Sequence, residues 1–236
     1  NFARYALYFS LMMGASNIAA PFFTVYMLRD LKWDYAHYTL SQAVFLLTQV
    51  LLVGWWGRIG DRHGNRVVIA ATSFILPLLP FLWMFSTNYS YLLVVQLVSG
   101  IGWSGFTIAA QNFTFDAVSV QKRARVAACV SVLHGLCMFA GGTLIGAPLA
   151  NHLPSVYTLG PLRVGFISSL PGLFAVSGLA RFAVAALLLR RFAEVRDGHE
   201  QIHPAQLILR LAGGGIIAGF LNGLLRPEGK EGPSAG

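Results

Sequence analysis

The 236-residue chain is short of charge: Asp, Glu, Lys and Arg make up 11% of it, and only nine residues are acidic. Soluble domains carry roughly 25% charged residues, so this composition excludes an ordinary water-soluble fold. Cysteine is scarce as well. Cys129 and Cys137 fall eight residues apart within one apolar stretch, which excludes a disulfide framework and reads as two small buried hydrophobes in a helix. There is no Walker loop, no metal-spaced His/Cys cluster and no dinucleotide fingerprint. Neither a metal nor a cofactor is expected.

What is abundant is apolar surface, with 56% hydrophobic residues and a mean hydropathy of +0.62. Runs of about 20 apolar residues match a hydrocarbon core of about 30 Å at about 1.5 Å per residue. Six such spans are predicted, at about 5–28, 36–56, 67–87, 91–115, 125–150 and 165–189. Turn and charge signals separate them: Arg29 and Asp30 with Lys32 and Asp34, then 57–66, 87–90, Gln121-Lys122-Arg123, and a longer loop at 154–161. The lipid bilayer is the expected partner.

The net charge of +8 and pI near 9.9 do not point to nucleic acid. A nucleic-acid binder needs a basic face on a folded domain, whereas these cations cluster between apolar runs as topology determinants do. One side collects Arg4, Arg58, Arg62, Arg66, Lys122, Arg123, Arg125, Arg190, Arg191 and Arg196; the other has Arg29, Lys32 and Arg163. The positive-inside rule then puts both ends of the bundle in the cytoplasm, across a cell (inner) membrane. Residues 1–196 are expected to form the bundle and 197–236 a cytoplasmic, partly apolar, Gly-rich tail. Within the tail, 207–225 carries Arg210, Asn222 and the small-residue series Gly215, Gly219 and Gly223. An interfacial segment is preferred there, with a seventh span as the alternative.

The most specific stretch is Gly57-Arg58-Ile59-Gly60-Asp61-Arg62-His63-Gly64-Asn65-Arg66, between the second and third spans. Gly57 and Gly64 suit a short turn between close helices, Asp61 suits a helix N-terminus, and Arg62 and Arg66 suit carboxylates or lipid phosphates. The stretch resembles the signature loop of the major facilitator superfamily, Gly-x-Leu-Ala-Asp-Arg-x-Gly-Arg-Lys, with Asn65 departing from the usual cation. A second likeness follows the fourth span, where Asp116 precedes the basic run Gln121-Lys122-Arg123-Ala124-Arg125.

The resemblance implies an all-α polytopic bundle of six transmembrane helices arranged as two inverted three-helix repeats, one half of a twelve-helix transporter. It implies a secondary transporter that moves a small solute by alternating access with a second six-helix half. In such a protein Asp61 would contact the N-terminus of the fifth span, and Arg62 would pair with Asp116. Together with Gly57, Gly64 and Arg66 they would form a conformational latch. The start at Asn1, and Phe22, Phe23, Tyr26, Met27 and Leu28 before Arg29-Asp30, favour the C-terminal half.

The first and fourth helices line the cavity in that family. On the first, Ser10, Gly14, Asn17, Pro21 and Thr24 share a face at helical spacing, and Pro21 frees the carbonyl of Asn17. On the fourth, Gln96, Gly100, Trp103, Thr107 and Gln111 do the same. Asn17, Pro21, Gln96, Trp103, Thr107 and Gln111 are the cavity candidates; the competing reading is hydrogen-bonded glue between helices. Arg181 and His134 are ionisable residues that lie deeper within their spans. Arg181 is expected to snorkel or pair with Asp116 rather than meet substrate. His134 is read as packing, with proton coupling as the alternative. Gly142 and Gly146, followed by Pro148, mark a close helix crossing.

A membrane enzyme is the competing class. Gly102-Trp103-Ser104-Gly105 fits the Gly-x-Ser-Gly of rhomboid-type intramembrane serine proteases. A serine nucleophile needs a base within reach, and that arrangement takes its His from the sixth span, which has none. No catalytic residue is expected.

Overall fold

A computed structural model describes residues 1–159 and 162–194. Among these residues six helices are long and apolar enough to cross a membrane: α1 Phe2–Asp30, α2 Tyr35–His63, α3 Asn65–Phe85, α4 Tyr89–Asp116, α5 Val120–His152 and α6 Leu170–Arg191. The helical, multi-span architecture is as expected. The positions 207–225, proposed above as interfacial or spanning, lie outside the described residues.

Two boundaries differ from expectation, each for a local reason. The second span does not end near residue 56; helix continues to His63 and stops only at Gly64, whose φ of 90° no ordinary side chain tolerates well. Charge does not end a helix outside the apolar layer. The sixth span begins at Leu170 rather than 165, with Pro171 in its first turn. Residues before it form a short antiparallel hairpin, β1 Val156–Leu159 with β2 Leu162–Gly165.

Three of the spans are interrupted, the first of them at Pro21 as expected. In α1 the regular helix halts after Asn17 and resumes at Ala20 with Pro21 in its first turn, then closes on a widened π turn, Tyr26–Asp30. α3 breaks at Leu76–Pro77. α5 carries a seven-residue π segment, Ala140–Gly146, a feature that often accompanies functional positions.

Helix pairing has an internal symmetry. α1 packs on α5 and α6, just as α4 packs on α2 and α3, and α3 meets α6. Exchanging the first three helices for the last three leaves that pattern unchanged. Because each set holds three spans, the second starts from the opposite side and is inverted. Close approach is set by glycine: a Cβ on Gly141 would lie 2.0 Å from the Gly14 carbonyl oxygen, and one on Gly146 2.4 Å from that of Ile18. On the symmetry-related contact a Cβ on Gly105 would strike the Trp56 ring at 2.6 Å. Small residues at crossings let backbones pack where lipid gives no hydrophobic drive.

Two apolar clusters occupy the interior. One, with Tyr5, Tyr8, Trp56, Phe106, Phe113 and Phe192, lies towards the end bearing the 57–66 motif. The other, with Tyr26, Trp83, Leu92, Leu173 and Phe174, lies towards the opposite end. Cys129 is exposed rather than buried, because the outer face of α5 is uncovered.

Candidate functional site

The motif end is knit by contacts between groups far apart in sequence. Gly64 turns the chain so that Asn65 opens α3, nearly fully buried, and its Nδ2 donates to Asp116 Oδ2 at 3.0 Å. The residue that departs from the signature pattern thus bonds the acidic end of α4. The Arg66 N–H, an orphan donor of the first turn, donates to Glu194 Oε2 at 2.7 Å, and Arg66 Nε donates to the Phe192 carbonyl at 2.8 Å. Asn1 exchanges two hydrogen bonds with the backbone of Ala193. Arg123 donates to the carbonyls of Phe115 and Val118 at the end of α4. The segment after α6 thus closes over the starts of α1 and α3.

Within the motif the glycines differ. A Cβ on Gly64 would lie 2.5 Å from Glu194 Oε2, and one on Gly60 2.6 Å from Asn65 Oδ1. Gly57 is mid-helix with open space around it, so the turn assigned to it above falls to Gly64 alone. Asp61 and Arg62 ride the last turns of α2 and each makes an interaction.

A cavity of about 400 Å³ occupies the other half of the bundle. α1 supplies Asn17, Phe23 and Thr24, α2 supplies Tyr38, Gln42 and Phe45, and α4 supplies Gln96, Ser99 and Trp103. Leu79 and Trp83 of α3, Met138 of α5 and Arg181 of α6 also line it, as do Met13, Ser16, Ala20 and Met27 of α1. All of them but Met13 lie near the midplane of their helices or beyond it, away from the motif end. The cavity is therefore one-sided.

That geometry sorts the candidates. Asn17, Gln96 and Trp103 line the cavity. Asn17 and Gln96 also act as glue: Asn17 Nδ2 donates to the Met138 carbonyl at 2.8 Å and Gln96 Nε2 to Ser41 Oγ at 3.0 Å. Both readings of the stripe hold at these positions. Thr107 and Gln111 do not line it: they lie on the motif side of the midplane, Gln111 is exposed, and Thr107 bonds back to the Trp103 carbonyl. Pro21 faces outward and shapes α1 by breaking it. Gly14 serves the α1–α5 crossing, where a Cβ would lie 2.7 Å from the Cys137 carbonyl oxygen.

Arg181 neither snorkels nor pairs with Asp116. It is 3% exposed, and Nη1 donates to the Leu76 carbonyl at 2.9 Å while Nη2 reaches the Ser16 carbonyl at 3.4 Å. Both acceptors sit at helix breaks. Pro80 has no N–H for the Leu76 oxygen, and Ser16 immediately precedes the interruption before Pro21. His134 meets the Phe9 ring edge-on, its Nε2 beside Met138 Sδ at 2.7 Å, and it is not among the cavity residues. Ser104 is buried and donates to the Ile101 carbonyl of its own helix at 2.9 Å, so it is a packed helix residue rather than a poised nucleophile.

Sequence reasoning missed the contributions of α2 and α3 to the cavity, and Asn65 and Glu194 at the motif end. One signal was available. Arg181 is centred in the span once the helix is taken to start at Pro171, and the Pro77/Pro80 break predicts an unsatisfied carbonyl on a neighbour.

Among the described residues, six apolar spans in two exchangeable sets, a cavity at mid-depth lined by aromatic and amide side chains and a glycine-acid-arginine motif between the second and third spans are the features of a multi-pass membrane transporter fold. A family model described as the Major Facilitator Superfamily matches residues 5–226. The chain belongs to that superfamily and is a membrane transporter protein. No curated protein matches it.

Proposed function

We propose that the chain is one six-helix half, the C-terminal half, of a secondary transporter that moves a small solute by alternating access. The motif end faces the cytoplasm of a cell membrane, and a second six-helix half closes the cavity from the other side. The position of the cavity carries this reading: most of its lining lies from the midplane outward, while hydrogen bonds tie the helix ends together on the side of the motif. That is the outward-facing state of a rocking transporter, with the hinge network closed.

Two further features support it. Only 6% of the most apolar stretch of α5 and 22% of that of α2 is buried within this bundle, against 44–61% for the other four helices. Two faces are thus free to meet another half. Phe22, Phe23, Tyr26 and Met27 before Arg29-Asp30 resemble the seventh helix of the family, which favours the C-terminal half. In the proposed cycle the latch of Gly57, Asp61, Arg62, Gly64, Arg66 and Asp116 biases the two states by about 1–3 kcal/mol.

Cysteine accessibility tests the cycle without a known substrate. With Cys129 and Cys137 replaced, a cysteine at Tyr38 should react from outside intact cells. One at Gln111 should become reactive from the cytoplasmic side only as the first is protected. Reactivity at 38 and 111 that never trades off would defeat alternating access. A tag near residue 63 reached only from outside would invert the orientation.

A further inference from the structure

Arg181 lies about 16 Å from the Leu170 end of α6 and about 15 Å from the Arg191 end, so it sits at the midplane. Its guanidinium stays charged under cellular conditions. A charge at this depth is costly and ordinarily has a partner. Among the described residues all five carboxylates, Asp30, Asp34, Asp61, Asp116 and Glu194, stand at span ends. Asp30 is fourteen residues beyond Ser16, about 21 Å along the helix, and it already holds Arg29. The arginine has only carbonyl dipoles for company.

Its hydrogen bonding is lopsided as well. Nη1 is anchored on Leu76, but the other edge is barely used: Nη2 reaches Ser16 at 3.4 Å, and Nε is buried with no hydrogen-bond partner. Nε and Nη2 form the edge that grips a carboxylate with two parallel bonds. This residue stands at the inner end of the cavity, whose walls are rich in Phe23, Trp83, Phe45 and Trp103. The cavity size falls in the range of small-ligand sites.

We propose that the solute is an organic carboxylate with an apolar or aromatic body, its carboxylate bound by the Nε/Nη2 edge of Arg181. The inference rests on the transporter reading and names the substrate class of that cavity. The anion supplies the missing counter-charge, takes over the weak Ser16 contact and satisfies Nε. Leu76 keeps the guanidinium in place in both loaded and empty states. Asn17 and Gln96, tied to α5 and α2, hold the walls around the solute.

The test uses the protein at its natural full length, purified in detergent, with phenylacetate, phenylacetamide and phenethylamine as probes. Trp83 and Trp103 report occupancy by fluorescence. Phenylacetate should bind saturably, and about tenfold or more tighter than its amide, as a desolvated charge pair gives. Phenethylamine should bind weakest. Arg181→Gln should erase the preference for the acid, while Arg181→Lys should weaken binding yet keep the preference. Equal binding of acid and amide, preference for the amine, no binding by any of the three, or a preference that survives Arg181→Gln would each overturn the proposal. Should Arg181→Gln fail to fold, the wild-type series and Arg181→Lys decide. Binding of the amide or amine instead leaves the transporter reading standing, and loss of alternating cysteine reactivity is read separately.

Discussion

At the motif end Asn65 holds Asp116, Glu194 holds the first turn of α3, and the Phe192 carbonyl holds Arg66. Beyond the midplane Thr24, Gln42 and Ser99 face a cavity instead of one another. The same inventory of small polar groups closes one half and lines the other. The difference lies in what each contact exchanges for. Groups at helix ends trade protein partners for water at about 1 kcal/mol net, so the motif end can open and close. The hollow half keeps its shape through backbone-to-backbone contact at glycines, which nothing else can replace.

The largest effect should come from breaking that wall. In Gly141→Leu the new side chain must begin 2.0 Å from a backbone oxygen of α1, and neither helix can yield. A loss of about 3 kcal/mol or more is expected, seen as collapse of the monodisperse peak in size-exclusion chromatography. Gly135→Leu, less than two turns earlier with open space around it, should leave the packing of these six helices on one another unchanged. If both variants behave alike, the glycine crossing does not hold the cavity open.

Inside the motif two glycines should respond with opposite signs. Gly64 has φ 90° and ψ 144°, a region that belongs to glycine, so Gly64→Ala should destabilise by about 1–3 kcal/mol. Gly57 is mid-helix and uncrowded, so Gly57→Ala should stabilise by about 0.5–1 kcal/mol. Thermal unfolding in detergent reads both. Equal and negative shifts would mean that the turn involves Gly57 after all.

How far the sequence could be read follows from the same division. The spans were legible because lipid demands about 20 apolar residues in a row, and the breaks in α1 because Pro21 removes a specific N–H. A close crossing of α5 was legible from Gly142 and Gly146 because small residues in lipid have one common use; that α1 is the partner was not. The continuation of α2 to His63 was not, since polarity marks where the bilayer ends and not where the helix does. The partners of Arg181 lie 105 and 165 residues away in sequence, and those of Arg66 126 and 128 residues away. Periodicity places a side chain on a face; it does not say which distant carbonyl waits there. Thr107 and Gln111 were placed on the correct stripe of α4, but a stripe runs the length of a helix and the cavity does not.

A smaller change should loosen the closed end. Asn65→Ala removes the donor to Asp116 and costs about 1.5 kcal/mol, the scale of a hydrogen bond to a charged group. Its sharper signature is functional: a cysteine at Gln111 should become more reactive while one at Tyr38 becomes less so. Unchanged reactivity at both positions would show that the Asn65–Asp116 contact is structural and not part of the latch.

The smallest effect belongs to the rim of the hollow half, where Asp34 caps α2. Its carboxylate accepts the His37 N–H at 2.8 Å and lies against the His37 ring, and these bonds, the backbone one first, hold its carboxyl below the usual range. A carboxyl whose folded pKa is depressed adds stability above its unfolded pKa of about 3.9. That stability is lost as pH falls through the folded value. The melting temperature of the wild type should therefore dip below about pH 4 by slightly more than that of Asp34→Asn, which caps without titrating. Because Asp34 is fully open to water, the increment should be the least of the series, and matching pH slopes would remove it. A rim that contributes so little leaves the mouth of the cavity held by the helix crossings below it.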